Sequence, residues 1–212
     1  MFDADTIIGY VYNSNRLDGI TVTQTDTRRI LTNSASFDPE QELIGEDGRS
    51  FEAEVVLGHE RALRGMAALG MSPDKPVSEE QILLLHRTLM GNLLLSAGEY
   101  RECVLRYKGL LIASPPQYLA ERMAWLVNLI NTGLERAQDP HKFSWRIHHE
   151  FITLHPFIEA NGRMARLLLN LVRLRRQLDL TTVPYDNREV YSRAIIEFQQ
   201  QKIARAQEKA GS

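Results

Sequence analysis

"HPFIEANGRMAR", residues 155–166, sets a histidine, an acid, an Asn-Gly pair and two arginines directly before the apolar run "LLLNLV", residues 167–172. The longer segment "MARLLLNLVRLRRQL" is apolar around much of a helical circumference until its basic end, the pattern of a helix at the centre of a bundle. A helix starting near Asn161 and Gly162 points its first backbone N–H groups outward without intrahelical partners, with the positive end of the macrodipole behind them. Such a terminus binds phosphate, and Gly162 lets a ligand approach the backbone closely. Arg163 and Arg166, three apart, sit on one face and both reach a polyphosphate. Glu159 offers a hard oxygen ligand to Mg²⁺, which prefers carboxylates combined with phosphates. His155 is the residue best suited to accept a proton near neutral pH. Anion cradle, metal ligand, charge clamps and base are the parts of a phosphate-transfer site. Taken singly each has a plainer reading: a helix arginine is usually solvated or salt-bridged, and a histidine before proline ends a helix. Their crowding into one short run favours the chemical reading.

The rest of the chain reads as mainly helical. Residues 5–17 suit a short helix stopped at Asp18-Gly19, and a second helix spans about 25–32. Residues 33–51, with Asp38-Pro39, Gly45 and Gly48, read as an exposed connection. "AEVVLGHERALRGMAAL" has helical spacing, and Ser78 with Gln81 fits a capping box opening the next helix. "EYRECVLRYKGLLIASPP" breaks that period and suits a small β-hairpin flap. Helical spacing returns in "YLAERMAWLVNLINTGLERA", Asp139-Pro140 opens "HKFSWRIHHEFITL", and Asp186-Asn187 suits the cap of a last helix ending near Ala206. The expected organisation is an N-terminal region over 1–32, a connecting loop over 33–51 and a catalytic domain over 52–212.

Composition narrows the function classes. The 212 residues, 43% hydrophobic, suit one domain with a sizeable core. A net charge of −2 and a pI near 6.3 argue against nucleic acid as a partner. Cys103 is the sole cysteine, which excludes an intrachain disulfide and suits a reducing compartment. With no secretion-type leader and no apolar run long enough for a bilayer, the expectation is a cytoplasmic protein without membrane association.

The signature stretch resembles that of Fic-domain proteins, His-x-Phe-x-Asp/Glu-Gly-Asn-Gly-Arg-x-x-Arg, and departs from it only at Ala160, where the first Gly is usual. "GEYRECV", "SPPQYLAERMAWL" and "VSEEQILLLHRTL" are also similar to segments of that family, so the likeness covers roughly residues 52–200. The resemblance implies a mainly α-helical fold and transfer of AMP from ATP to a Ser, Thr or Tyr hydroxyl of a target protein. It implies that His155 deprotonates the hydroxyl, Glu159 holds Mg²⁺, and Phe157 anchors the loop in the core. By the same resemblance Asn161, Gly162 and the neighbouring Ala160 cradle the α-phosphate. Arg163 grips the β-phosphate side and Arg166 the γ-phosphate, while the flap from Leu105 to Ile112 positions the target. Doc-like kinases in the same superfamily carry Ala at the position of Ala160, and also Lys in place of the second Gly. Gly162 and Arg163 keep the AMP-transferring form. Some members form dimers, so a homodimer is an expectation.

"SNRLDG", residues 14–19, resembles the family's inhibitory motif Ser/Thr-x-x-x-Glu-Gly/Asn, with Asp18 in place of Glu. The implied brake pairs Asp18 with Arg166, with Ser14 and Gly19 beside it. The plain alternative is a helix-ending Asp-Gly turn. Three further readings stay open: a Doc-like kinase, an enzyme that removes AMP, and a non-catalytic nucleotide- or partner-binding module. Among other residues, Arg173, Arg175 and Arg176 read as a solvated basic helix end, His148 and His149 as packing residues rather than zinc ligands, and Tyr191 as either a wall of the adenine pocket or core.

Overall fold

The computed structural model describes residues 2–33, 49–72, 74–105 and 113–210. Among these the fold is all helical: α1 (Ala4–Leu17), α2 (Gln24–Thr32), α3 (Arg49–Gly70), α4 (Glu79–Met90), α5 (Leu119–Arg136), α6 (Pro140–Leu154), α7 (Asn161–Arg175) and α8 (Arg188–Ala210), with single 3-10 turns at Pro116–Tyr118 and Tyr185–Asn187. No helix among the described residues is long and apolar enough to cross a membrane.

α7 is the axis of the bundle. Met164, Leu167, Leu168, Leu171 and Val172 are fully buried within it, as its all-round apolar sequence requires. Each such side chain contributes about 1.5–3 kcal/mol by leaving water. α6 and α3 make the most extensive packing against α7, and α4 lies on α3. The short helices α1 and α2 pack on each other and on α3, and α1 also reaches α7. That placement brings the N-terminal segment to the start of the central helix.

Capping residues fix several of the boundaries. Ser78 and Gln81 form the reciprocal capping box of α4, at 3.3 and 3.0 Å. Asp139 accepts from the Lys142 N–H at 3.0 Å, and Pro140 takes the first helical position of α6. Asp3 and Thr23 cap α1 and α2 in the same manner.

Some expectations are corrected. α3 begins at Arg49, inside the expected connection, because its first turn carries no apolar period to read; residues 34–48 lie outside the described residues. Asp186 and Asn187 form a 3-10 turn after Pro184, and α8 begins at Arg188 and continues to Ala210. Its tail, "AQEKA", is made of strong helix formers. The basic end of α7 is not a solvated face. Arg173 donates to the Asp179 carbonyl at 2.8 Å, Arg175 to the Leu69 carbonyl at 2.8 Å, and Arg176 to the Leu134 carbonyl at 2.9 Å. These guanidiniums pin three neighbouring segments, which hydropathy cannot distinguish from exposure. No strand occurs among the described residues. The expected hairpin falls on residues 106–112, with Ile112, outside the described residues, and Leu105 borders them, half-buried.

Candidate active site

The turn from α6 into α7 is bracketed by two left-handed residues, His155 (φ 49°) and Ala160 (φ 61°). Neither is glycine, so the surrounding structure holds both conformations against a cost of about 1–2 kcal/mol each. Asn161 closes the turn: its amide accepts from the Phe157 N–H at 3.0 Å and donates to the Phe157 carbonyl at 2.8 Å. Its side chain thus shapes the loop in this state. Phe157 is fully buried and stacks on His86, with ring centroids 3.7 Å apart and planes within 8°.

His86 and Arg101 hold the loop from outside, and sequence reading gave neither of them a role. The Gly98 N–H donates to His86 Nδ1 at 2.8 Å, which leaves Nε2 protonated to donate to the Glu159 carbonyl at 3.2 Å. Burial pushes the imidazole down to about 4, so it stays neutral. Arg101, buried, donates to the carbonyls of His155 (2.7 Å), Cys103 (2.7 Å) and Ser114, and its N–H donates to the Pro156 carbonyl at 3.0 Å. It ties His155 to Cys103 and Ser114, one on either side of residues 106–112 in the chain. The available signal for His86 was a lone polar residue on the buried stripe of α4; Arg101, next to Glu102, gave none.

His155 ends α6 and is 8% exposed. Burial is the main cause that lowers its pKa to about 4, so the ring is neutral at pH 7 and able to accept a proton. Glu159 is exposed, and its carboxylate makes no ion pair or hydrogen bond with the described residues. Both line a cavity of about 370 Å³, together with Gly162, Arg166, Tyr191 and Asp18. Its size is within the range of small-ligand sites.

The two arginines of the first two turns of α7 converge on the C-terminal end of α1. Arg166 Nη2 donates to Asp18 Oδ1 at 2.6 Å and to the Ser14 carbonyl at 2.8 Å, and Nε donates to Ser14 Oγ at 2.7 Å. Arg163 Nε meets Asp18 Oδ2 at 3.3 Å, while its buried Nη1 has no partner among the described residues. The carboxylate lies hard against the helix start: a Cβ at position 162 would come within 2.5 Å of Asp18 Oδ1. Gly19 takes φ 86° as the chain leaves α1, a conformation that favours glycine. Behind this contact, His59 of α3 pairs through Nδ1 with the Asn15 side chain at 2.8 Å, both fully buried. Arg166 Nη1 donates to the Tyr191 hydroxyl at 3.1 Å, and that hydroxyl lies 2.7 Å from His148 Nε2.

Ser14, Asp18, Glu159, Gly162, Arg163, Arg166 and His155 are therefore gathered at one place. Leu105 is separate from the cavity lining, and Cys103 is exposed. His149 stacks between Trp145 and Phe198. Among the described residues no group of three or more His, Cys, Asp or Glu side chains could hold a metal ion by itself.

A buried central helix whose N-terminus, with two arginines, holds the Asp18 carboxylate opposite a buried histidine marks this as a helical protein with a candidate anion site. Residues 76–172 match the model of the Fic/DOC family. The chain carries a Fic domain and belongs, through it, to that family. It is 30% identical over 190 residues to a protein adenylyltransferase fic-1 of Caenorhabditis briggsae, covering 88% of this chain and 36% of that protein. It is 27% identical over 184 residues to a protein adenylyltransferase Fic of Drosophila grimshawi, covering 86% of this chain and 36% of that protein. The chain thus spans little more than a third of the length of these curated relatives. Among solved structures, a Fic domain containing signaling protein from Bacteroides thetaiotaomicron aligns with a TM-score of 0.78 and 25% identity, over 91% of this chain and 71% of that one. Fic-1 of Caenorhabditis elegans aligns with a TM-score of 0.72 and 27% identity, over 98% and 65%.

Proposed function

We propose that this chain transfers AMP from ATP to a hydroxyl side chain of a target protein, with α1 as a brake on the site. The observation that carries the reading is the Asp18 carboxylate, held by Arg166 and Arg163 at 2.6 and 3.3 Å over the start of α7. A carboxylate and a phosphate compete for the same guanidinium donors. The names of the adenylyltransferase relatives support which group is transferred.

In this mechanism the N-terminus of α7 and Gly162 take the α-phosphate, with the Ala160 and Asn161 backbone beside it. Arg163, whose Nη1 is an unused buried donor, takes the β-phosphate side, and Arg166 takes the γ-phosphate. His155 accepts the proton of the incoming Ser, Thr or Tyr hydroxyl as its oxygen bonds to the α-phosphorus. The bond from that phosphorus to the pyrophosphate oxygen breaks, and pyrophosphate leaves. The lone exposed carboxylate of Glu159 fits Mg²⁺, which takes one or two carboxylates and completes its shell with phosphates and water. When bound there, the ion neutralises charge on the phosphates. Asp18 occupies the donors that the γ-phosphate needs, so nucleotide enters productively only when α1 shifts. Residues 1–32 are in this reading the inhibitory region and 52–212 the catalytic one.

The test uses Asp18→Gly with ATP labelled at the α- or γ-phosphate in turn, and a cell lysate as the source of hydroxyl targets. Label from the α-position on protein, abolished by His155→Ala, supports the proposal. Label from the γ-position alone replaces it with a phosphate-transferring kinase, the reading that Ala160 suggests.

A further inference from the structure

Arg166 is held by groups of two different helices. Ser14, in α1, and Asp18, which caps its C-terminal end, take Nε and Nη2. The Tyr191 hydroxyl, which takes Nη1 at 3.1 Å, belongs to α8. A guanidinium can only donate, so the phenol oxygen accepts from Arg166 and its single proton is free for His148 Nε2, 2.7 Å away. That assignment puts the ring proton of His148 on Nδ1. The imidazole is fully buried on α6, against Trp145 and His149, with ring centroids at 5.4 and 5.1 Å. Burial holds its pKa well below the ordinary value, so Nε2 keeps its lone pair for the phenol.

We propose that Tyr191 and His148 are positioning residues that hold Arg166 in its ligand-gripping rotamer when α1 withdraws. The proposal rests on the reading that Arg166 meets the terminal phosphate of ATP. When Ser14 and Asp18 leave, Nε and Nη2 become the two free donors, on the side that faced the carboxylate. Nη1 stays on the phenol, so the fork keeps its direction without α1. Without the phenol, a long, rotamer-rich side chain would have to be ordered by the ligand itself. Tyr191 thus contributes to ATP affinity through its hydroxyl, and His148 contributes by orienting that hydroxyl.

The experiment is made in the Asp18→Gly protein, by calorimetric titration with ATP and, separately, with AMP. Tyr191→Phe, which keeps the ring and removes the oxygen, weakens ATP binding about tenfold, as expected for one lost charge-assisted hydrogen bond, and leaves AMP binding unchanged. His148→Phe has the same selective effect, His148→Gln restores affinity by returning an acceptor to the phenol, and combining Tyr191→Phe with His148→Phe adds little to either alone. Unchanged ATP affinity in Tyr191→Phe overturns the inference, as does equal weakening of ATP and AMP. If folded Asp18→Gly binds AMP but gains nothing from the further phosphates of ATP, the reading of Arg166 has failed and the inference falls with it.

Discussion

Asp18 and Gly162 compete for one small volume: a methyl group on position 162 would stand 2.5 Å from the Asp18 carboxylate oxygen and 3.2 Å from Arg166 Nη1. The glycine therefore serves the shut state directly, by letting a carboxylate on another helix rest against the start of α7.

Gly162→Ala is expected to push the Asp18 carboxylate off its arginines. Stability falls by about 2 kcal/mol, the scale of a lost hydrogen bond to a charged group. Denaturant unfolding checks it, and the sharper reading is a double-mutant cycle. In the Asp18→Gly background the same substitution costs clearly less, because the clash has gone. Equal losses in both backgrounds would mean that the contact is not what Gly162 accommodates.

Asp18→Gly removes a half-sheltered carboxylate from two buried guanidiniums. In the nucleotide-free chain part of the loss is offset by Ser14 and Tyr191, which occupy Arg166 until ATP displaces Ser14. The chain is expected to lose about 2 kcal/mol of unfolding free energy while gaining at least tenfold in ATP affinity. Calorimetric titration alongside urea denaturation measures both, and unchanged ATP affinity would remove α1 from the role of brake.

Ala160→Gly relieves a left-handed residue with φ 61° that glycine adopts freely. Thermal unfolding should show a gain, because relief of about 1 kcal/mol in the folded chain exceeds the added freedom of the unfolded one. A loss of stability would show that the Ala160 methyl, buried among core residues, contributes more by packing than its conformation costs.

Arg101→Lys keeps the charge but cannot reach three carbonyls with one ammonium group. The predicted signature is a fall in kcat of about a hundredfold, from misplacement of His155, with ATP affinity nearly unchanged. An equal rise in KM would instead point to general loosening of the site.

His59 and His148 are held well below their usual pKa by burial, and His149 is lowered to about 4 by the same cause. Below the unfolded value near 6.5 the unfolded chain takes up protons that the native chain refuses. Stability is therefore fully present above about pH 6.5 and declines as pH falls toward 4. Urea midpoints measured from pH 7.5 to 4.5 should decrease steadily, and His149→Phe should flatten part of that slope.

The sequence alone determined the central helix, its capped neighbours and the cluster from His155 to Arg166. Those features are local, since a period of apolar residues, a capping box and a crowded motif act over a few residues of chain. Asp18, Ser14 and Arg166 were also legible, but only through a resemblance, since nothing along the chain links positions 148 and 152 residues apart. What tertiary structure decided are the roles set by partners in space. Arg173, Arg175 and Arg176 looked like a solvated end and instead pin carbonyls. Asn161 closes its own loop, and Arg101, His86 and Tyr191 aim the residues of the motif. Polar side chains do not show from sequence whether water or a buried partner satisfies them. That choice is made only when packing excludes water and leaves a particular carbonyl, hydroxyl or carboxylate within reach.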